Sequence, residues 1–129
     1  MKIHHFGFLT ENLQKSIIDF RKLGYTEIKR SSDNNREIEI AFIESVSGEI
    51  LELIMPISST SVVSKIIKNF KNNIYHICYL TSNINNSIKR LEQNGFFLID
   101  KPKPAILFDN RNIAFMYSKY AGMVELLEE

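Results

Sequence analysis

The chain has 129 residues, which is the length of one ordinary domain, and its 44% hydrophobic and 24% charged residues are typical of a globular protein. Sixteen Lys and Arg against fifteen Asp and Glu give a formal charge of +1, which argues against nucleic-acid binding. Cys78 is the single cysteine, and neither a signal peptide nor a long apolar segment is evident. We therefore expect a cytoplasmic protein without a disulfide and without membrane contact.

The first half of the chain predicts one helix among four strands. An apolar run at residues 3–9 is too short for a helix and predicts a strand. Four apolar residues then recur at the spacing of one helix face, Leu13, Ile17, Phe20 and Leu23. Gly24 is expected to end that helix. Three strand-like stretches follow, at residues 25–29, 37–44 and 49–55.

The second half repeats this order after a linking segment. Residues 57–73 contain five apolar residues that predict a linking helix, Val62, Val63, Ile66, Ile67 and Phe70. A strand at 74–80 follows, then a helix with Ile84, Ile88 and Leu91 that ends near Gly95. Further strands are predicted at 96–99, 112–118 and 123–127. The chain is thus an α+β protein of two βαβββ modules, 1–56 and 74–129, within a single domain.

The sequence itself supports the duplication. Residues 3–28 and 74–99 align without a gap, and nine of these 26 positions are identical. Residues 40–42 match residues 113–115, and residues 51–53 match residues 124–126. The two halves are therefore one structural unit used twice.

The repeat selects two histidines and two glutamates as candidate metal ligands. His5 has His76 as its equivalent, whereas the neighbouring His4 has Tyr75. Glu52 and Glu125 each stand among large apolar residues, where a buried carboxylate needs a partner or a metal ion. Strand histidines and glutamates are more often ordinary core or surface residues, but their joint recurrence favours a divalent metal site.

The sequence resembles the vicinal oxygen chelate superfamily, which includes glyoxalase I, methylmalonyl-CoA epimerase, bleomycin-resistance proteins and extradiol dioxygenases. Four segments around the candidate ligands carry the resemblance: IHHFGFLTENLQKSIIDFRKLGY, LELIMP, YHICYLTSNI and FDNRNIAFMYSKYAGMVELLEE. The resemblance implies that the two modules form a half-closed mixed barrel around a metal site with His5, Glu52, His76 and Glu125 as ligands. It also implies a divalent ion such as Ni²⁺, Co²⁺, Zn²⁺ or Mn²⁺, and a homodimer.

The resemblance further implies an isomerase, lyase or epimerase. Members of the glyoxalase I (lactoylglutathione lyase) and methylmalonyl-CoA epimerase branch move a proton next to a carbonyl of an acyl thioester or a thiol adduct. Glu125 corresponds to the family's glutamate that is both ligand and proton carrier. The epimerase also uses a second acid, whose position here falls at Arg36, and Glu37 is one residue out of register. The last strands favour the epimerase, because they lack the PDG turn that is common in glyoxalase I, whereas a glyoxalase-like reaction needs no second acid.

Alternative functions and candidate substrate-contact residues complete the predictions. A binding or resistance protein without catalysis is the main alternative, and extradiol oxygen chemistry is disfavoured by the fourth ligand, Glu52. Cys78 is interpreted as a small buried residue. Four residues are candidates for substrate contact, Arg111, Phe42, Phe115 and Met116. Arg111, with Lys101 and Lys103 nearby in the sequence, is a candidate for binding an anionic part of the substrate, and a solvated charged loop is the alternative interpretation.

Overall fold

Eight strands and three α-helices occur in the predicted order in a computed structural model, which describes residues 1–129. The elements are β1 (Lys2–Leu9), α1 (Leu13–Lys22), β2 (Thr26–Asp33), β3 (Ile38–Glu44), β4 (Ile50–Pro56), α2 (Val62–Phe70), β5 (Asn73–Thr81), α3 (Ile84–Glu92), β6 (Phe97–Ala105), β7 (Arg111–Ser118) and β8 (Gly122–Glu128). The βαβββ order is confirmed in both halves, with α2 between them. None of the helices is long and apolar enough to cross a lipid bilayer.

The chain divides into two compact units. One unit is His5–Tyr75, and the other combines His76–Glu129 with the first four residues, Met1–His4. The boundary falls inside β1 and inside β5, which are the equivalent first strands of the two repeats. We call them the N-terminal unit and the C-terminal unit.

The N-terminal unit packs α1 on one face of a sheet whose strand order is β2-β3-β4-β1. The buried contact consists of Leu13, Ile17, Ala41, Ile43, Leu51 and Leu53. Because side chains alternate along a strand, the residues between these strand positions point to the other face. Phe42 on β3 and Glu52 on β4 are among them, and their Cα atoms are partners across the ladder.

The C-terminal unit repeats this packing with the strand order β5-β8-β7-β6. Helix α3 contacts one face through a second buried cluster, Ile84, Ile88, Ala114, Met116, Val124 and Leu126. Phe115 and Glu125 therefore point to the other face, again as Cα partners in an antiparallel ladder. In both units the helix covers one face, and the opposite face carries the candidate ligands.

The loop before each helix is also repeated. Asn12 and Asn83 are N-caps whose side chains accept from the backbone N–H groups of Lys15 and Asn86. A threonine before each cap pairs with a serine in the first turn: Thr10 with Ser16 at 2.6 Å and Thr81 with Ser87 at 2.7 Å between hydroxyl oxygens. These contacts hold each helix to the strand that precedes it.

The structure corrects two details of the sequence prediction. Leu23 does not belong to the buried stripe of α1, because the helix ends at Lys22 and the Leu23 side chain is 72% exposed. Strand β6 extends to Ala105, whereas the prediction ended at residue 99. The extension includes Pro102 and Pro104, which lack a backbone N–H; β6 lies at the edge of its unit and its ladder has register shifts, where proline is tolerated.

Candidate metal centre

The N-terminal unit holds His5 and Glu52 side by side. They lie on the parallel strands β1 and β4, and Gly7, two residues after His5, is the Cα partner of Glu52. The Nε2 atom of His5 is 3.5 Å from Oε1 of Glu52. Both side chains are buried. Parallel pairing and alternation thus place the two predicted residues together on one face.

The C-terminal unit holds the equivalent pair, His76 and Glu125. They lie on the parallel strands β5 and β8, and Cys78 is the Cα partner of Glu125. The Nε2 atom of His76 is 2.9 Å from Oε2 of Glu125, and both side chains are buried. Each of the two units therefore holds one buried imidazole beside one buried carboxylate, on corresponding strands.

An aromatic ring accompanies each pair. The rings of His5 and Phe42 meet edge to face, with centroids 5.9 Å apart and an interplanar angle of 84°. The rings of His76 and Phe115 do the same at 5.4 Å and 81°. Each unit thus has a His–Glu–Phe trio, which we define as His5, Glu52 and Phe42 in one unit and His76, Glu125 and Phe115 in the other.

The chemistry of the trios suits a divalent cation. Removing a carboxylate from water costs several kcal/mol unless a positive partner compensates it, and neither Glu52 nor Glu125 is exposed. Imidazole nitrogen and carboxylate oxygen are donor types that can hold a metal ion. The residues present therefore fit the metal that the sequence predicts, and Ni²⁺, Co²⁺, Zn²⁺ and Mn²⁺ all accept this mixture of nitrogen and oxygen.

Of the three apolar candidates for substrate contact, two lie on the ligand face of their sheet and one does not. Phe42 and Phe115 share the ligand face of their sheets, as described above. Met116 points to the opposite face, is completely buried, and packs in the α3 cluster. Its role in the structure is core packing, because adjacent residues on a strand face opposite sides.

The basic residues near β6 and β7 have local partners. Arg111 begins β7, and its Nε donates to the carbonyl of Phe108 at 3.1 Å. Lys101 and Lys103 lie within β6, so the charged loop predicted for them is wrong. The ammonium of Lys103 pairs with Asp100 at 2.9 Å.

Glu37, one residue from the expected second-acid register, is held by two hydroxyl groups. Its carboxylate accepts hydrogen bonds from the hydroxyls of Ser58 at 2.9 Å and Thr60 at 2.7 Å. On β3, the residues that share a face with Phe42 are Ile38, Ile40 and Glu44. Glu44 is the last residue of the strand and is exposed, so this face of β3 has no buried carboxylate.

Sequence reasoning missed the contact between each histidine and its aromatic ring. The signal was present, because Ile40-Ala41-Phe42 recurs as Ile113-Ala114-Phe115, and the phenylalanines were singled out only as substrate contacts. Alternation within one strand gives the face of a residue. It does not give its neighbour from a different strand.

Comparison with known proteins identifies the family. The family model of the Glyoxalase/Bleomycin resistance protein/Dioxygenase superfamily matches residues 4–115, which is most of the chain. The chain belongs to this superfamily. A search of curated protein sequences gives no match.

Solved structures of other proteins share the fold of this superfamily member. A hypothetical protein from Bacillus halodurans C-125 has a TM-score of 0.87 and 23% identity, with 99% of this chain and 94% of that chain covered. Methylmalonyl-CoA epimerase from Mycobacterium tuberculosis has a TM-score of 0.84 and 20% identity, with 98% and 86% covered. A variant of the Streptomyces coelicolor methylmalonyl-CoA epimerase, in complex with 2-nitronate-propionyl-CoA, has a TM-score of 0.84 and 18% identity, with 100% and 97% covered. The predicted fold class is confirmed.

Proposed function

We propose that this superfamily member is a metal-dependent isomerase that moves a proton next to a carbonyl, with His5, Glu52, His76 and Glu125 as the ligands of one divalent ion. The observation that carries the proposal is the buried His–Glu pair, which occurs once in each unit. Family membership supports it, and so does the occurrence of the two pairs at corresponding positions inside equivalent strands of the two repeats. The histidines and glutamates would hold the ion through Nε2 and carboxylate oxygens.

Glu125 is the proposed proton carrier. A bound divalent ion supplies positive charge next to a carbonyl oxygen that becomes negative when the adjacent carbon loses its proton. The Glu125 carboxylate takes that proton and returns it to the former carbonyl carbon. With a hemithioacetal of a 2-oxoaldehyde as substrate, the product is a 2-hydroxy thioester, and no atom or electron is gained or lost.

One base is favoured over two by the structure of β3. A two-base epimerisation needs a second acid on the far side of the carbon. The ligand face of β3 carries Ile38, Ile40 and Phe42, and its one carboxylate, Glu44, is exposed at the end of the strand. Glu37 is engaged with Ser58 and Thr60 instead. A CoA thioester substrate, as the epimerase neighbours suggest, is the second candidate, and we include it in the test.

Metal content and proton transfer test the proposal together. The chelated protein is titrated with Ni²⁺, Co²⁺, Zn²⁺ and Mn²⁺, and the loaded protein is offered hemithioacetals of methylglyoxal with glutathione or bacillithiol, and methylmalonyl-CoA. We expect one ion per chain and transfer of the α-proton, measured by thioester formation and by deuterium uptake from D₂O. The double variant His5→Ala, His76→Ala should lose the ion.

Matched controls separate the outcomes. Glu37→Gln removes a carboxylate outside the trios and should leave metal content unchanged. Binding of bleomycin or another small ligand without proton transfer on any thioester or thiol adduct would favour the resistance-protein alternative. Failure of wild-type protein to bind any of the four ions would overturn the proposed metal site.

A further inference from the structure

The phenylalanines of the trios contact the candidate ligand histidines rather than only filling space. We propose that Phe42 and Phe115 are positioning residues that fix the ring orientation of His5 and His76 for metal binding. This inference rests on the proposed function, because it assumes that the histidines are ligands. It assigns to the two aromatic rings a role that substrate contact does not explain.

The contact geometry is the one that restrains a ring. An imidazole edge carries partial positive charge and an aromatic face carries partial negative charge, so near-perpendicular contacts are attractive. The angles of 84° and 81°, with centroids 5.9 and 5.4 Å apart, correspond to that arrangement in both units. Tilting either imidazole out of its present plane would change this near-perpendicular contact.

The backbone register ties each ring to the carboxylate as well. Phe42 and Glu52 are Cα partners in the β3–β4 ladder, and Phe115 and Glu125 are partners in the β7–β8 ladder. Directly opposed side chains on one face lie about 4.5–5.5 Å apart at Cβ. One aromatic residue therefore contacts the histidine of the pair and stands opposite its glutamate in the ladder.

Duplication provides the internal evidence that the ring is selected. The two repeats differ at most aligned positions, yet the phenylalanine recurs in the same relation to a histidine and a glutamate. Groups behind a metal ligand that fix its orientation commonly change metal affinity when they are removed. Here packing against an aromatic face would supply that restraint.

The test uses Co²⁺, whose visible spectrum reports the geometry of its ligands. Phe42→Leu and Phe115→Leu keep an apolar side chain but remove the aromatic face. We expect each variant to bind Co²⁺ roughly three- to tenfold more weakly, with an altered d–d spectrum. Phe115→Tyr, which keeps the ring, should restore the affinity and the wild-type spectrum.

The controls lie on the same strands but on the helix-facing side. Ile43→Leu on β3 and Met116→Leu on β7 alter the core clusters and leave the trios intact. They should change the free energy of unfolding without changing the Co²⁺ affinity or spectrum. Equal Co²⁺ binding by wild type and both Phe variants would overturn the inference, as would the same loss in the controls.

The outcome also distinguishes this inference from the proposed function. If wild-type protein binds no metal, both fail. If the Phe variants bind Co²⁺ as wild type does but show a raised KM, the rings contact substrate and only the positioning role fails.

Discussion

The Nε2 atom of His76 lies 2.9 Å from Oε2 of Glu125, within hydrogen-bond distance. The equivalent atoms of His5 and Glu52 are 3.5 Å apart, so the two halves of the repeat are not identical at their ligands. The closer pair contains the glutamate that family resemblance marks as the proton carrier. This difference suggests which of the two carboxylates to test first.

Glu125→Gln should abolish proton transfer, whereas Glu52→Gln should mainly weaken metal binding. Both substitutions preserve volume, but only the first removes the proposed base, and a general base contributes about 10² to 10⁴ in rate. At saturating metal we expect a loss of that size for Glu125→Gln and a loss below roughly tenfold for Glu52→Gln. The turnover rate of the hemithioacetal at increasing metal concentration measures both losses. Equal losses at saturating metal would contradict the assignment of Glu125 as the base.

Ser87→Ala should destabilise the C-terminal unit by about 1 kcal/mol. The Ser87 hydroxyl is buried and pairs with that of Thr81 at 2.7 Å. Ser16→Ala removes the equivalent contact to Thr10. Because that contact is only partly buried, the loss of unfolding free energy should be smaller. Urea denaturation measures both, and a double-mutant cycle of Thr81→Val with Ser87→Ala isolates the pair. A coupling energy near zero would show that the two hydroxyls do not stabilise one another.

Gly24→Ala and Gly95→Ala should destabilise the protein by similar amounts, about 1–2 kcal/mol each. Each glycine follows a helix and has a positive φ, +92° at Gly24 and +88° at Gly95, a conformation that is strained for a residue with a side chain. A Cβ at Gly24 would lie 3.3 Å from Cγ2 of Val46, while nothing lies near a Cβ at Gly95. Val46 is 92% exposed and can move, so backbone strain should dominate. A much larger loss for Gly24→Ala that Val46→Ala relieves would show that the contact dominates instead.

Glu49→Gln should reduce stability at neutral pH and have less effect in acid. Hydrogen bonds from the hydroxyls of Ser45 and Ser47 lower the pKa of Glu49 below its ordinary value of 4.5. A carboxyl whose folded pKa is lowered stabilises the fold above its unfolded pKa, and this contribution disappears as pH falls through the folded value. The difference in Tm between wild type and variant should therefore shrink below pH 4.5. A difference that is constant with pH would contradict the prediction.

Local patterns predicted the strands and helices because the repeat allowed each element to be read twice. A weak strand such as 74–80 gained support from its equivalent at 3–9, and both are strands in the structure. Alternation also separated His5 from His4, since that depends only on counting along one strand. The four candidate ligands followed from the same reasoning.

Positions that depend on other elements were not predictable in this way. The exposure of Leu23 depends on where α1 ends, and the extension of β6 through Pro102 depends on its being an edge strand. Met116 was grouped with Phe115 by adjacency in the chain, although a strand sends adjacent side chains to opposite faces.

The prolines of β6 have a consequence for self-association. Edge strands expose unpaired N–H groups that can template another chain, and proline removes those donors. Pro102 and Pro104 therefore block strand addition along the second half of β6. Its first half contains no proline and exposes the side chains of Phe97 and Ile99. Strand pairing between chains in concentrated solution should accordingly begin at the first half of β6, and a charged residue in place of Ile99 should reduce this aggregation.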